Sequence, residues 1–316
     1  MSRQLLSVVV PVHDEEESLR ELTRRVLAAA GELDGLDVEL VLVDDGSRDR
    51  SYPLLVELAR GEPRIRVVRL ARNFGHQVAL TAGIEHARGD AVVTMDADLQ
   101  HPPEVIEQLV AEWRAGHDVV YGVMRDRPEG FVKRVTARLF YVVLNRLATD
   151  EMPSAAGDFR LIDRKVVDAF LAMRERDRYL RGMFAWLGFS QAGVEYVPAA
   201  RFAGRSKYSL RKMSQLAFDA IFSFSILPLR IVLGLGLAVS AVAFLFGIAS
   251  ALSKVFGVYT VPGWATIVVV VTFIGGVQLV VLGGIGEYLG RVYEEVKRRP
   301  LYVVRALHNF DDEPRC

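Results

Sequence analysis

Two long stretches without a charged residue limit what this chain can fold into. They cover residues 231–253 and 264–286, and each has 23 positions without Asp, Glu, Lys or Arg. A helix of that length is roughly 35 Å long, enough to cross a hydrocarbon core about 30 Å thick. The alternative is a pair of buried core helices, but such helices rarely continue for about six turns without a charge. We therefore predict two transmembrane helices.

Basic residues beside these stretches predict the orientation of the chain. Arginines and lysines precede the first stretch and follow the second, whereas the connecting loop has only Lys254. Because cytoplasmic flanks carry the excess of positive charge, both ends of the chain are expected in the cytoplasm. The apolar run at residues 5–12 contains Pro11 and is followed at once by acids, which is not the pattern of a signal peptide.

The formal charge of the chain is zero, but its charges are unevenly placed. The 39 Lys and Arg balance 39 Asp and Glu, which excludes a globally basic nucleic-acid-binding protein. The single cysteine, Cys316, excludes an intrachain disulfide. Residues 199–230 hold six basic residues against Asp219, and apolar residues recur there at helical spacing. This predicts an amphipathic helix at residues 210–230 that lies on the membrane surface.

The residues before this helix alternate between short apolar runs and helical patterns. The runs are residues 6–12, 38–44, 65–70, 91–96 and 118–123. This alternation predicts a mostly parallel α/β sheet, in which ligands bind at the carboxyl ends of the strands. Acidic pairs follow three of the runs: Asp14 with Glu15, Asp44 with Asp45, and Asp96 with Asp98. We expect these carboxylates around one crevice.

The most specific stretch is MDADLQHPPE at residues 95–104. Asp96 and Asp98 are two positions apart, so an extended backbone points both to one side. Carboxylate and amide oxygens suit Mg²⁺ or Mn²⁺, which usually keep phosphate oxygens as further ligands. We therefore predict a divalent metal held by Asp96, Asp98 and Gln100. The dinucleotide-binding, P-loop and H-E-x-x-H patterns are absent, which removes the main support for a dehydrogenase, an NTPase or a zinc protease.

Taken together, the motifs resemble family 2 glycosyltransferases, in the branch that transfers a sugar to polyprenyl phosphate. The stretches that carry the resemblance are VVPVHDEEESL (9–19), VDDGSRD (43–49), ARNFGHQVAL (71–80), DADLQHPPE (96–104), GDFRLIDR (157–164), GRSKY (204–208) and GEYLGRVYEEVKRRPLYVV (286–304). The resemblance implies the GT-A (Rossmann-like) fold and a multi-pass protein of the bacterial inner membrane. It also implies a homo-oligomer such as a tetramer.

The expected domains follow from these patterns. They are a cytoplasmic glycosyltransferase domain at 1–209, the interfacial helix at 210–230, two transmembrane helices within 231–286, and a cytoplasmic tail at 287–316. The resemblance implies metal-dependent, inverting transfer from UDP-glucose to undecaprenyl phosphate. GDP-mannose and UDP-aminoarabinose remain open as donors.

The resemblance also assigns roles to residues. The nucleotide sugar would contact Pro11, His13, Glu15, Asp44 and Asp96. The acceptor phosphate would contact Arg125, Arg138, Arg201, Ser206 and Lys207, since cations must offset the repulsion between two anionic substrates. Asp158, Lys207 and Arg125 are the expected catalytic residues. Because a phosphate monoester is mostly ionised at neutral pH, no strong general base is required. We therefore predict that Asp158 orients the acceptor or stabilises positive charge on the sugar.

Two other functions are less compatible with the sequence. A processive polysaccharide synthase would carry Q-x-x-R-W near its acceptor channel, and none of the seven glutamines begins that pattern. A non-catalytic membrane scaffold, or a partner in sugar-lipid translocation, would not need Asp96, Asp98 and Asp158 intact. Both are therefore disfavoured.

Overall fold

The computed structural model describes residues 3–125, 157–176, 178–199 and 263–310, with scattered positions between 234 and 256. The chain forms two compact units. The first, here called the sheet unit, contains the described residues up to 199 and those from 300 onward. The second contains the residues from 210 to 299. The predicted interfacial helix at 210–230 lies outside the described residues.

The sheet unit is built on one mixed sheet whose strands are mostly parallel. Its strands are β1 (Gln4–Val12), β2 (Leu36–Asp44), β3 (Ile65–Leu70), β4 (Ala91–Thr94), β5 (Val119–Met124), β6 (Arg160–Asp163), β7 (Gln191–Tyr196) and β8 (Val304–His308). Their order is β7-β5-β6-β4-β1-β2-β3-β8. β6 runs antiparallel to both its neighbours and β8 runs antiparallel to β3, whereas β1 pairs in parallel with β2 and β4.

Helices connect these strands and cover the sheet. They are α1 (Leu19–Gly31), α2 (Ser51–Gly61), α3 (His76–His86), α4 (Ile106–Arg114), α5 (Arg164–Ala172) and α6 (Leu180–Trp186), with a short 3₁₀ helix at Pro103–Val105. The side chains of β1 are buried without interruption from Leu6 to Val12. A strand covered on both faces needs such a continuous apolar run, which explains why β1 has no polar alternation.

The predicted α/β sheet is confirmed, and all five predicted strands are present with ends shifted by a few residues. The sequence pattern does not predict the last three strands, β6, β7 and β8. β8 lies within the predicted tail, where Ala71 N donates to Val303 O at 2.8 Å just before the strand begins. β8 depends on pairing with β3, far away in the sequence, and has no strong local signal of its own.

One helix in the described part of the chain is long and apolar enough to cross a membrane. It lies at Phe273–Val296, with a mean hydropathy of 1.4, inside a helix that runs from Trp264 to Val296. That helix begins where the second predicted span begins and continues past residue 286. None of the apolar stretch is buried, unlike a core helix of a soluble protein. Much of the first predicted span, 231–253, is outside the described residues, which include a shorter apolar helix at Gly236–Phe246.

Close packing of α3 on the sheet gives a first prediction. A Cβ at Gly83 would lie 2.2 Å from Val9 Cγ1 and 3.0 Å from Val43 Cγ2. We expect Gly83→Ala to lower the free energy of unfolding by about 1–3 kcal/mol, because overpacking forces the helix away from the strands. Denaturant titration followed by circular dichroism measures this. The control is Gly61→Ala, since a Cβ at Gly61 meets nothing within 4 Å; equal stability of the two variants would contradict the prediction.

Candidate functional site

The loops that follow β1 and β2 are joined by hydrogen bonds at the carboxyl edge of the sheet. His13 Nδ1 lies 2.9 Å from Asp45 O. Asp14 has a left-handed backbone, with φ 54°, and its Oδ1 accepts from Arg48 N at 2.7 Å. Glu15 N donates to Ser51 Oγ at 2.9 Å. These hydrogen bonds hold the loop after β1 against the loop after β2.

Asp44 and Asp45, at the end of β2, have different surroundings. Asp45 accepts hydrogen bonds from Phe74 N at 2.7 Å and Gly75 N at 3.0 Å, and so fixes the loop that begins α3. Asp44 is fully buried, and Arg69 Nε lies 3.4 Å from its Oδ2. Burial raises the pKa of both carboxyls, against the opposing effect of their hydrogen bonds. Asp44 Oδ2 accepts no hydrogen bond from the described residues, so a ligand could supply the donor.

The loop after β4 carries the proposed metal ligands. Asp98 Oδ1 accepts a hydrogen bond from Gln100 N at 3.1 Å, and Leu99 between them has φ 62°. This backbone is unfavourable for a bulky residue, and such strain is typical of functional loops. Asp96 Oδ1 is buried and has no hydrogen-bond partner in the described parts of the chain.

The residues of this loop fit a divalent metal. In the described ranges no three His, Cys, Asp or Glu side chains form a closed metal cluster. Asp96 and Asp98 supply two carboxylates, and the unsatisfied Asp96 Oδ1 is a suitable oxygen ligand. A hard cation such as Mg²⁺ is commonly bound through one or two carboxylates plus substrate phosphates. The set is therefore suited to a cation that arrives with a phosphorylated substrate.

A second cluster surrounds Asp158, just before β6. Arg181 of α6 forms a two-pronged ion pair with it, from Nε to Oδ1 at 2.9 Å and from Nη2 to Oδ2 at 3.3 Å. Arg160 Nη2 is 4.0 Å from Asp158 Oδ1. His76 Nε2, at the start of α3, lies 3.5 Å from Asp158 Oδ2 and also 3.5 Å from Asp96 Oδ1. One imidazole nitrogen thus lies between the two acids.

These contacts change how the groups ionise. Burial would raise the pKa of Asp158, but Arg181, His76 and Arg160 outweigh it and hold that pKa well below its usual range. Burial would lower the pKa of His76, yet its hydrogen bond to Asp158 and the charge of Asp96 raise it. Burial lowers the pKa of Arg160 to about 10, against the attraction of Asp158. Asp158 is therefore a carboxylate with little tendency to accept a proton.

The structure places the other predicted residues as follows. Pro11 is buried inside β1. Arg125 follows β5, where its N donates to Tyr196 O at 2.8 Å and its side chain is 70% exposed, 3.9 Å from Glu195. The remaining predicted phosphate contacts, Arg138, Arg201, Ser206 and Lys207, lie outside the described residues.

Two residues of the site were not anticipated from the sequence. His76 lies inside the stretch ARNFGHQVAL, which carries the family resemblance. Its position at the start of a helix that follows a strand could therefore have identified it as a site residue. Arg181 lies in no quoted motif, and its pairing with Asp158 joins residues 23 positions apart. Only the fold, which brings Arg181 of α6 to Asp158, reveals it.

Comparison with known proteins identifies similar chains. The sequence profile of Glycosyl transferase family 2 matches residues 7–171. An uncharacterised glycosyltransferase of Synechocystis is 44% identical over 98% of this chain and 97% of its own length. The YkcC glycosyltransferase of Bacillus subtilis, also uncharacterised, is 41% identical over 99% of this chain and 97% of its own. A prophage-derived bactoprenol glucosyl transferase of Shigella flexneri is 40% identical over 96% of this chain and 98% of its own.

Proposed function

This chain belongs to glycosyl transferase family 2, and on that premise we propose that it transfers one sugar from a nucleotide diphosphate sugar to membrane polyprenyl phosphate. UDP-glucose is the favoured donor and undecaprenyl phosphate the favoured acceptor. Similarity to the Shigella bactoprenol glucosyl transferase extends over 96% of this chain, and so includes the apolar stretches as well as the sheet. The observation that carries the proposal is the approach of Asp96 and Asp158 to one His76 nitrogen.

The first step is to hold the donor. Asp44, with its unsatisfied buried oxygen, would accept hydrogen bonds from the nucleoside, beside His13 and Glu15. Asp96, Asp98 and Gln100 would hold Mg²⁺ or Mn²⁺ on the diphosphate. The cation, when bound, stabilises the negative charge that develops on the leaving diphosphate. The bond to be broken would then lie near Asp158, since His76 Nε2 is 3.5 Å from both Asp96 Oδ1 and Asp158 Oδ2.

The second step is attack by the acceptor. A phosphate monoester has a second pKa of about 6, so its oxygen is an anion without help from a base. The low pKa of Asp158 agrees with a role that needs a permanent carboxylate. Asp158 would stabilise positive charge on the sugar ring, while Arg181 and His76 keep it fixed. Attack from the face opposite the diphosphate inverts the anomeric carbon. Arg125, with its exposed side chain, and Lys207 would offset the charge of the acceptor phosphate.

Membrane attachment completes the proposal. The acceptor phosphate lies at a lipid surface, so a catalytic domain fixed to the membrane meets it at high local concentration. We propose that the chain crosses the bacterial plasma membrane twice, with the catalytic domain in the cytoplasm. The exposed apolar stretch in Phe273–Val296 supports one crossing. The second crossing rests on the charge-free residues 231–253 and on the basic flanks in the sequence.

A donor panel tests the function. Full-length protein in nanodiscs is supplied with undecaprenyl phosphate, Mg²⁺ or Mn²⁺, and radiolabelled UDP-glucose, GDP-mannose or UDP-aminoarabinose. We expect labelled lipid from UDP-glucose, with a loss of at least about 100-fold when EDTA removes the metal. Labelling from another donor would reassign the sugar. If no donor labels the lipid, the proposed function is wrong.

A further inference from the structure

The loop that carries Asp96 and Asp98 is closed by one buried histidine. His101 is 3% exposed, and its Nδ1 accepts a hydrogen bond from Asp96 N at 3.0 Å. Met95 N still donates to Val9 O of the sheet at 3.1 Å. Asp96 is therefore the point where the backbone leaves the sheet, and its N–H turns to His101 instead of a neighbouring strand.

The hydrogen bond from Asp96 N to His101 determines which ring nitrogen of the imidazole is the acceptor. A backbone N–H can only donate, so Nδ1 is the acceptor and the ring proton belongs on Nε2. The same Nδ1 lies 3.7 Å from Asp96 Oδ2. This hydrogen bond uses only the backbone of Asp96, so it holds the residue in place without occupying its carboxylate, whose Oδ1 lies 3.5 Å from His76 Nε2.

His101 also contacts the segment that carries Asp158. Its ring stacks on Phe159, with centroids 5.0 Å apart and planes 12° apart. The ring of Tyr196 is edge-on to it, with centroids 6.1 Å apart. Phe159 directly follows Asp158, whose carbonyl accepts from Thr94 Oγ1 at 2.5 Å. The His101 ring therefore contacts both the loop that carries the proposed metal ligands and the segment that carries Asp158.

The rings of Phe159 and Tyr196 pack against Gly122, where there is no space for a side chain. A Cβ at Gly122 of β5 would lie 2.7 Å from Tyr196 Cε1 and 3.0 Å from Phe159 Cδ1. Phe159 and Tyr196 are themselves perpendicular, with centroids 5.6 Å apart. The stack is buried and closely packed, so His101 has little freedom to turn away from Asp96.

We propose that His101 is a positioning residue for metal binding and sugar transfer. Its Nδ1 fixes the backbone at Asp96 so that the carboxylates of the loop face the cation. Its stack on Phe159 fixes the position of that cation relative to Asp158. This proposal rests on the proposed function, because the cation and the reacting sugar belong to it.

Substitutions that separate the two contacts of His101 test the proposal. His101→Asn offers an amide oxygen in place of Nδ1, whereas His101→Phe keeps a ring and removes the acceptor. We expect His101→Phe to weaken Mn²⁺ binding in the presence of UDP by about 10- to 100-fold, and to lower kcat by a similar factor. Losses of this size are typical when a residue that hydrogen-bonds to a metal ligand is removed. His101→Asn should stay within about threefold of the wild type in Mn²⁺ affinity.

Mn²⁺ binding is measured by electron paramagnetic resonance on the full-length protein, and kcat by lipid labelling. His117→Phe, at a half-exposed histidine beside Glu112, is the matched control and should change neither quantity. Should His101→Phe fail to fold by circular dichroism, His101→Leu takes its place.

The proposal is overturned if His101→Phe binds Mn²⁺ as tightly as the wild type does. It is also overturned if His101→Asn binds Mn²⁺ as weakly as His101→Phe. It is overturned too if the wild type binds no Mn²⁺ with UDP. If the wild type binds Mn²⁺ but labels no lipid, the proposed function fails, while the Mn²⁺ affinities still decide the role of His101.

Discussion

Replacing Asp98 by alanine is expected to reduce sugar transfer by about 1,000-fold while the protein stays folded. Asp98 lies in a loop whose only other carboxylate is Asp96, and no closed metal cluster exists in the described ranges. With a single carboxylate remaining, the cation would bind weakly and the leaving diphosphate would keep its full charge. Lipid labelling with saturating UDP-glucose measures the loss, and circular dichroism shows that the sheet is retained.

The control for Asp98→Ala is Asp37→Ala, which removes an acidic side chain at the opposite end of the sheet. Asp37, near the start of β2, forms an exposed ion pair with Arg3 at 3.4 Å, and exposed pairs contribute little to stability. Asp37→Ala should therefore transfer sugar like the wild type. If Asp98→Ala keeps more than about a tenth of wild-type transfer, metal-assisted departure of the diphosphate is wrong. A scaffold would keep its cellular function in Asp98→Ala, so a complementation assay separates the two classes.

The fold could be predicted where the sequence carries a local signal. Residues 8–12 of β1 and 40–43 of β2 are continuous apolar runs because both faces of the sheet are covered, and that pattern is visible without a structure. β6 has only four residues, and β8 exists because it pairs with β3. Neither strand is specified by its own residues alone. Contacts between distant segments therefore account for the strands that were not anticipated.

The candidate site also contains residues that a local sequence signal predicts and residues that only distant contacts bring into place. The proposed metal loop could be read from Asp96 and Asp98, because their spacing and the preceding strand are local. The partners of Asp158 could not, since Arg181 and His76 come from helices that follow other segments. Their effect is nevertheless large, because it decides whether Asp158 is a base or a fixed negative charge. The pKa of a buried acid depends on neighbours that only the fold brings together.

Asp158→Asn gives the second large effect. We expect it to lower kcat by about 100- to 1,000-fold, because a charge that stabilises the transition state is removed. Since neighbouring cations hold the pKa of Asp158 well below its usual range, the carboxylate stays ionised over the working pH range. The acid limb of the wild-type pH profile should therefore reflect the acceptor phosphate, with a pKa of about 6.

The acid limb of the Asp158→Asn profile should then stay near the phosphate pKa of about 6, as in the wild type. Any limb that reports His76 should move to lower pH, because Asp158 raises the pKa of His76. A general base would behave differently, because its loss would matter most where the acceptor phosphate is protonated. If Asp158→Asn loses activity only below the phosphate pKa, the stabilising role is wrong. Asp168→Asn is the control, since Asp168 is a 66% exposed acid on α5, and its kcat should be unchanged.

Arg181 provides a further check on the same carboxylate. Its two hydrogen bonds to Asp158, at 2.9 and 3.3 Å, would be lost in Arg181→Gln, which should also lower kcat. Because both residues act through one charge, the double variant should lose about as much as Asp158→Asn alone, rather than the product of the two losses. A multiplicative loss would mean that Arg181 acts on a substrate independently, and that its ion pair with Asp158 is not what positions the carboxylate.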